Sequence, residues 1–282
     1  MRAGFPHAAK FDALQQRLRD LRRVIVAFSG GVDSAFALQA AVMTLGGENV
    51  LAITGRSPAV PSAEIEGVAA LAAEIGAPHE FIDTHEFDDP NYLANPENRC
   101  YFCKTDLYTH LTRLVTQRGY DAVINGVNAD DLGDYRPGLT AAGEHGVRAP
   151  LAECGITKAE LRAMASELGL SIHDKPASPC LSSRVQYGEA ITPEKLRRID
   201  AAETFLRGLG FRECRVRHHG NLARIEIPAR ELARIADADL RATIDRRLRE
   251  LGYQYVTLDL RGFRSGSMNE VILGAGLRAA GQ

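Results

Sequence analysis

No tryptophan occurs among the 282 residues, and no apolar run approaches the roughly 18 residues that a membrane-spanning helix needs. The opening residues Met1-Arg2-Ala3-Gly4-Phe5-Pro6 lack the apolar segment of a secretory signal, so the chain is expected in the cytoplasm. A formal charge of −2 removes any global electrostatic argument for a nucleic-acid partner. Residues 197–217 and 241–249 are locally basic, as solvated helix faces often are. The missing tryptophan by itself excludes no function. What is present is an ordinary globular composition, 45% apolar and 25% charged, enough for one large or two moderate domains. Five cysteines form an odd set, which in a reducing compartment points to metal binding or catalysis rather than to a disulfide framework.

Apolar spacing predicts an amphipathic helix over 8–22, followed by a buried strand Val24–Phe28 without polar alternation. Such a strand suits a parallel sheet covered on both faces. Further strands at Val50–Thr54, His79–Ile82 and Ala122–Asn125 alternate with helices at 61–76 and 104–118, the order of a doubly wound α/β domain. A helix at 157–168 precedes the Pro- and Ser-rich stretch Lys175–Arg184, read as a functional loop and a domain junction. Beyond it, helices at 193–208, 229–236 and 238–250, alternating strands Cys214–His218 and Ala223–Ile227, and a strand Tyr255–Leu258 predict a smaller α+β domain. The expected domains are therefore 1–175 and 176–282, with a frayed last dozen residues.

The first strand runs into Ser29-Gly30-Gly31-Val32-Asp33-Ser34. Glycines let the backbone wrap an anion, a helix N-terminus offers N–H groups and a favourable dipole, and Ser29 and Ser34 can add hydroxyl donors. Asp33 is odd beside phosphate unless it holds Mg²⁺. A glycine turn with Asp33 and Ser34 merely capping the helix is the plainer alternative, but every position and the strand context match phosphate binding. There is no Gly-Lys-Ser/Thr. The six residues resemble the PP-loop of ATP pyrophosphatases, and that resemblance implies ATP cleaved between the α and β phosphates. A second polar loop, Asn125-Gly126-Val127-Asn128-Ala129-Asp130-Asp131, follows the fourth strand and is expected to face the first across the ligand crevice. Either Asp130 or Asp131 could hold Mg²⁺ or orient the substrate, although such a composition also makes ordinary turns.

Cys100-Tyr101-Phe102-Cys103 spaces two thiols for one metal or cluster, yet no second pair of this kind completes a four-cysteine zinc site. A third ligand must come from elsewhere, and Cys180 is the natural candidate. A partial zinc site or two buried thiols remain alternatives.

With Asn98-Arg99-Cys100, Cys103-Lys104, Asn125-Gly126, Asp130-Asp131, Pro179-Cys180-Leu181-Ser182-Ser183-Arg184, Arg215-Val216-Arg217-His218 and Ala223-Arg224-Ile225-Glu226, the whole chain resembles the LarE family of sulfur-inserting synthases. These build the thiocarboxylates of the nickel-pincer nucleotide cofactor. The resemblance implies that Cys180 carries the transferred sulfur, and that Cys100, Cys103 and Cys180 hold a [4Fe–4S] cluster in the three-cysteine version. A version with this cysteine alone uses it sacrificially, leaving dehydroalanine. Arg215 and Arg217 alternate on one strand and share a face, which the residues alone allow to be simply a charged exposed one; the resemblance implies that they bind the phosphate of a nucleotide substrate near Glu203 and Glu226. Lys104 and Arg184 are expected to stabilise charge on phosphate or adenylate. Adjacent strand residues point to opposite faces, so His218 and His219 make a poor chelate pair. The implied chemistry adenylylates a substrate carboxylate with ATP and Mg²⁺ and then displaces AMP with sulfide, in a homo-oligomer without nucleic acid. A cluster-dependent tRNA thiolase, an amide-forming synthetase and a non-catalytic nucleotide-binding regulator are the rival readings.

Overall fold

The computed structural model describes residues 5–133 and 136–264, and the expected fraying of the last dozen residues lies outside them. It divides into two units, Met1–Ser178 and Pro179–Gln282.

In the first unit α1 (Ala8–Leu21) buries Phe11, Leu14, Leu18 and Leu21, the stripe its spacing requires. It leads to β1 (Val24–Ala27), which is followed along the chain by α2 (Val32–Leu45), β2 (Val50–Arg56), α3 (Ser62–Ile75) and β3 (His79–Asp83). The short α4 (Pro90–Leu93), the long α5 (Arg99–Arg118), β4 (Ala122–Ile124), α6 (Pro137–Glu144), α7 (Pro150–Glu153) and α8 (Lys158–Glu167) complete it. The strand order is β3-β2-β1-β4, all parallel, with Val24, Ile25 and Val26 in register with Val50, Leu51 and Ala52 on one side and Ala122, Val123 and Ile124 on the other. Val24 and Val26 join α1, α2 and α8 in one core, while Ile25 joins Leu51, Ile53 and Val123 against Tyr108 and Leu111 of α5. Helices on both faces explain why β1 shows no polar alternation. The chain moves outward from β1 through β2 to β3 and then returns to β1's other flank as β4. The loops after β1 and β4 therefore leave the sheet at its switch point, where doubly wound folds bind ligands.

The cysteine helix starts at Arg99, five residues before the predicted 104, because neither proline nor glycine interrupts 99–118 and Gly119 ends it at φ 68°. Cys100 and Cys103 thus lie within its first two turns. The helices α4, α6 and α7 each begin with proline and are too short to show a period.

The second unit packs α9 (Pro193–Gly208) and α10 (Ala238–Glu250) on a three-stranded sheet, β5 (Arg215–His219), β6 (Leu222–Glu226) and β7 (Tyr255–Leu258). Strands β5 and β6 are antiparallel, β6 and β7 parallel. Two expectations need correction. The stretch 229–236 is a 3₁₀ helix, and β5 does not alternate between buried and exposed, since Val216, Arg217 and His218 are all buried.

Candidate functional site

The PP-loop conformation is held by its own hydroxyls. Ser34 Oγ accepts the Ser29 N–H at 3.2 Å, lies 3.1 Å from Ser29 Oγ and donates to the Gly31 carbonyl at 3.0 Å. Gly30 has φ +72°, a region that favours glycine. Gly31 precedes α2 and has no side chain to cap it, so the first-turn amides meet no side-chain acceptor from the cap position. An anion at this helix start is favoured by the dipole as well.

The second loop closes on the first. A Cβ built on Gly126 would stand 2.5 Å from Ser34 N and 2.6 Å from the Asp33 carbonyl carbon, both backbone atoms that cannot swing aside. Gly126→Ala is therefore expected to push the two loops apart and weaken binding of a non-hydrolysable ATP analogue, by up to roughly the hundredfold that an ångström-scale misplacement can cost in a positioned site. Calorimetric titration checks this, and unchanged affinity would contradict the close approach. Next to it, Asn125 Oδ1 accepts the Val127 N–H at 3.1 Å, while the buried Asn125 Nδ2 has no partner. A buried donor left in this state costs on the order of 1–3 kcal/mol, which a ligand oxygen would recover.

The two aspartates of this loop differ. Asp131 accepts the Asn128 N–H at 3.1 Å and pairs with Arg136 at 2.8 Å, so it braces the turn. Asp130 Oδ2 accepts the backbone N–H of Lys158 at 2.9 Å. The Lys158 ammonium in turn donates to both oxygens of Asp33 at 2.5 Å. Asp33 and Asp130 thus both bind Lys158, one through its ammonium and the other through its backbone N–H; carboxylates are the hard ligands that Mg²⁺ takes. A second ammonium, that of Lys175, donates to Glu64 at 2.6 Å and to the Gly30 carbonyl at 3.2 Å. Neither lysine is among the predicted site residues. The capping box Thr157-Lys158-Ala159-Glu160 marks the start of α8, but nothing local shows that Lys158 reaches a partner 125 residues away.

On α5, Cys100 is exposed and Cys103 half-buried, one turn apart and so on one side of the helix. Lys104 places its ammonium 5.9 Å from the Tyr108 ring centroid. Gly138 of α6 lets that helix approach, since a Cβ there would lie 3.1 Å from Lys104 Cγ. The half-buried Cys180 belongs to the second unit. Among the described residues no group of three or more His, Cys, Asp or Glu side chains is assembled for a metal. The two cysteines outside any motif are held as thiols. Burial pushes Cys214 up to about 12, and burial also raises Cys154.

In the second unit Arg184 is fully buried and forks onto Glu203, at 2.9 and 3.1 Å. Its remaining nitrogen donates to the carbonyls of Pro179 at 2.7 Å and Cys180 at 3.0 Å. The guanidinium therefore shapes the cysteine loop from inside. Burial alone would raise the Glu203 carboxyl, but the charge and hydrogen bonds of Arg184, with Arg215 and the Val216 N–H, hold it below the ordinary value. Arg217 donates to Glu226 at 2.8 Å and to the Ser183 carbonyl at 3.0 Å. Its cross-strand partner Arg224 uses the other Glu226 oxygen at 3.2 Å and Asp259 at 3.1 Å. Arg215 stacks 5.0 Å from the Phe263 ring, and burial, then the charges of Arg184 and Arg217, lower its pKa. One strand pair thus carries three arginines beside Glu226, a face suited to an anion such as a phosphate group.

The family model for NAD synthase matches residues 9–93, the stretch that contains the PP-loop. An uncharacterized protein of Synechocystis sp. is 48% identical over 94% of this chain and 98% of its own length. The pyridinium-3,5-bisthiocarboxylic acid mononucleotide synthase of Lactiplantibacillus plantarum is 41% identical over 96% of this chain and 97% of its own length. A tRNA-specific 2-thiouridylase of Rickettsia rickettsii is 26% identical over 55% of this chain and 52% of its own length. Among the described residues no helix is long and apolar enough to cross a membrane.

Proposed function

The chain belongs to the LarE family of PP-loop ATP pyrophosphatases, and from that premise we propose that it adenylylates a carboxylate of a pyridinium dicarboxylate mononucleotide and converts it to a thiocarboxylate. The near-complete match to the Lactiplantibacillus synthase carries this reading. The proposed setting is a homo-oligomer in the cytoplasm.

A substrate carboxylate oxygen attacks the α-phosphorus of ATP, and the bond to the β-phosphate oxygen breaks. Pyrophosphate leaves into the cradle of Ser29, Gly30, Gly31 and Ser34, whose donors are in place before charge develops. Asp33 and Asp130 would hold Mg²⁺, which supplies neutralisation of the phosphate charge. The Lys158 ammonium, which bonds Asp33 in this structure, would be available to a phosphate oxygen if Asp33 held the metal. Arg215 and Arg217 hold the substrate phosphate, with Arg217 oriented by Glu226, and Arg184 keeps the Cys180 loop in shape from Glu203. Lys104 lies beside the cysteine pair, where it balances developing negative charge. Sulfide then attacks the acyl-adenylate carbon and AMP departs with the carboxylate oxygen.

Iron prefers soft thiolates, and by the family resemblance Cys100, Cys103 and Cys180 would hold a [4Fe–4S] group, which would supply sulfide when bound. Anaerobic reconstitution with iron and sulfide tests this: wild type is expected to bind iron, and Cys100→Ala, Cys103→Ala and Cys180→Ala each to lose it. If wild type takes up no iron, Cys180 is instead the sacrificial donor. Its Sγ would attack the activated carbon, and elimination across its Cα–Cβ bond would leave dehydroalanine, lighter by the mass of hydrogen sulfide. The partial match to a tRNA thiouridylase keeps one rival open. Copurifying tRNA would support that rival, and protein free of RNA the small-molecule reading.

A further inference from the structure

Two contacts pin the segment that leads into the cysteine loop. Arg162 of α8 donates to the carbonyls of His173 at 2.9 Å and Lys175 at 2.8 Å. The Lys175 side chain reaches the PP-loop, where its ammonium bonds Glu64 Oε2 at 2.6 Å and the Gly30 carbonyl at 3.2 Å. A Cβ built on Gly30 would stand 3.9 Å from that same Glu64 oxygen, so Glu64, Lys175 and Gly30 form one cluster at the rim of the phosphate cradle. From Lys175 the chain runs Pro176-Ala177-Ser178-Pro179-Cys180, and two prolines stiffen the link between the ammonium and the cysteine.

We propose that Lys175 is a positioning residue that reads PP-loop occupancy and passes it to the strap 173–178. This rests on Ser29–Ser34 being the ATP cradle. A carbonyl dipole is a weak acceptor for an ammonium beside a loop that takes several phosphate charges. With triphosphate bound, Lys175 exchanges the Gly30 carbonyl for a phosphate oxygen and the strap is held more firmly. Once pyrophosphate has left, the ammonium returns to the Gly30 carbonyl and the strap loosens. The chain approaching Cys180 is thus most ordered while the carboxylate is being activated.

Hydrogen exchange of the full-length protein, with and without Mg²⁺ and an α,β-methylene ATP analogue, tests this. Exchange of amides in 173–178 should slow roughly tenfold on adding the analogue to wild type. Lys175→Met should still bind the analogue, about tenfold more weakly, with no slowing in the strap, and Lys175→Arg should restore it. Unchanged exchange in α8 of the nucleotide-free variant shows that it is folded. Equal slowing in wild type and Lys175→Met, or analogue binding to wild type without any slowing, overturns the inference and leaves the cradle standing. If the analogue binds none of the proteins, the cradle falls and the inference with it.

Discussion

Replacing Asp33 by Asn is expected to lower kcat/KM for AMP formation roughly a thousandfold, about 4 kcal/mol of transition-state stabilisation, while leaving the protein folded. The two effects separate because the Asp33–Lys158 pair is about one-third exposed on each side. Water can therefore solvate the orphaned ammonium, and a pair of this kind contributes no more than about 1 kcal/mol to stability. For catalysis the substitution removes one of two carboxylates suited to Mg²⁺ and leaves Lys158 without its resting partner. Initial rates of AMP release beside a calorimetric melt check both halves. A folded variant with undiminished turnover would exclude Asp33 from the site.

The second large effect is on stability. Glu203→Ala leaves Arg184 buried without its carboxylate and removes the acceptor of the Val216 N–H, 3.1 Å away. Breaking a buried pair in this way costs about 3–5 kcal/mol. In a unit of about 100 residues that lowers the melting temperature by well over 10 °C. Replacing both partners at once, Arg184→Met with Glu203→Leu, should recover much of the loss in scanning calorimetry, because the buried Arg184 charge is then gone and Arg207, the other partner of Glu203, is exposed enough for water to solvate it. A double variant as unstable as the single one would mean that loop geometry rather than the unpaired charge sets the cost. The pH dependence has a definite sign. The folded Glu203 carboxyl lies below the ordinary 4.5, so its contribution is fully present above that value. It is lost as pH falls below 4.5 and through the folded value, and Glu203→Ala should lack this component of acid destabilisation.

Much of this molecule is legible in its residues because the informative signals are local. The unalternating run Val24–Ala27 followed by serine and glycines needs nothing distant to be read as a buried parallel strand ending in an anion loop. Asn125 and Gly126 follow from the same logic at β4. The rest depends on partners far apart in sequence. Lys158 and Lys175 look like ordinary helix-start and loop residues until the fold carries them to Asp33 and Gly30. Arg184 sits beside a cysteine and reads as a charge stabiliser, yet the fold buries it against Glu203, 19 residues on. Strand β5 shows the converse: charged residues at Arg215 and Arg217 suggest an exposed face, but Glu203 and Glu226 allow arginine to lie inside.

In the proposed reaction ATP activates a substrate carboxylate by adenylylation before sulfur enters. The most direct measurement uses pyridinium dicarboxylate mononucleotide with heavy oxygen in its carboxylates, incubated with protein, ATP, Mg²⁺ and a sulfide source, and follows the label by mass spectrometry. Adenylylation places one labelled oxygen in the phosphate of each AMP formed, together with a thiocarboxylate that keeps the other. Thiocarboxylate formed alongside unlabelled AMP, or with ADP and phosphate in place of AMP and pyrophosphate, would contradict it.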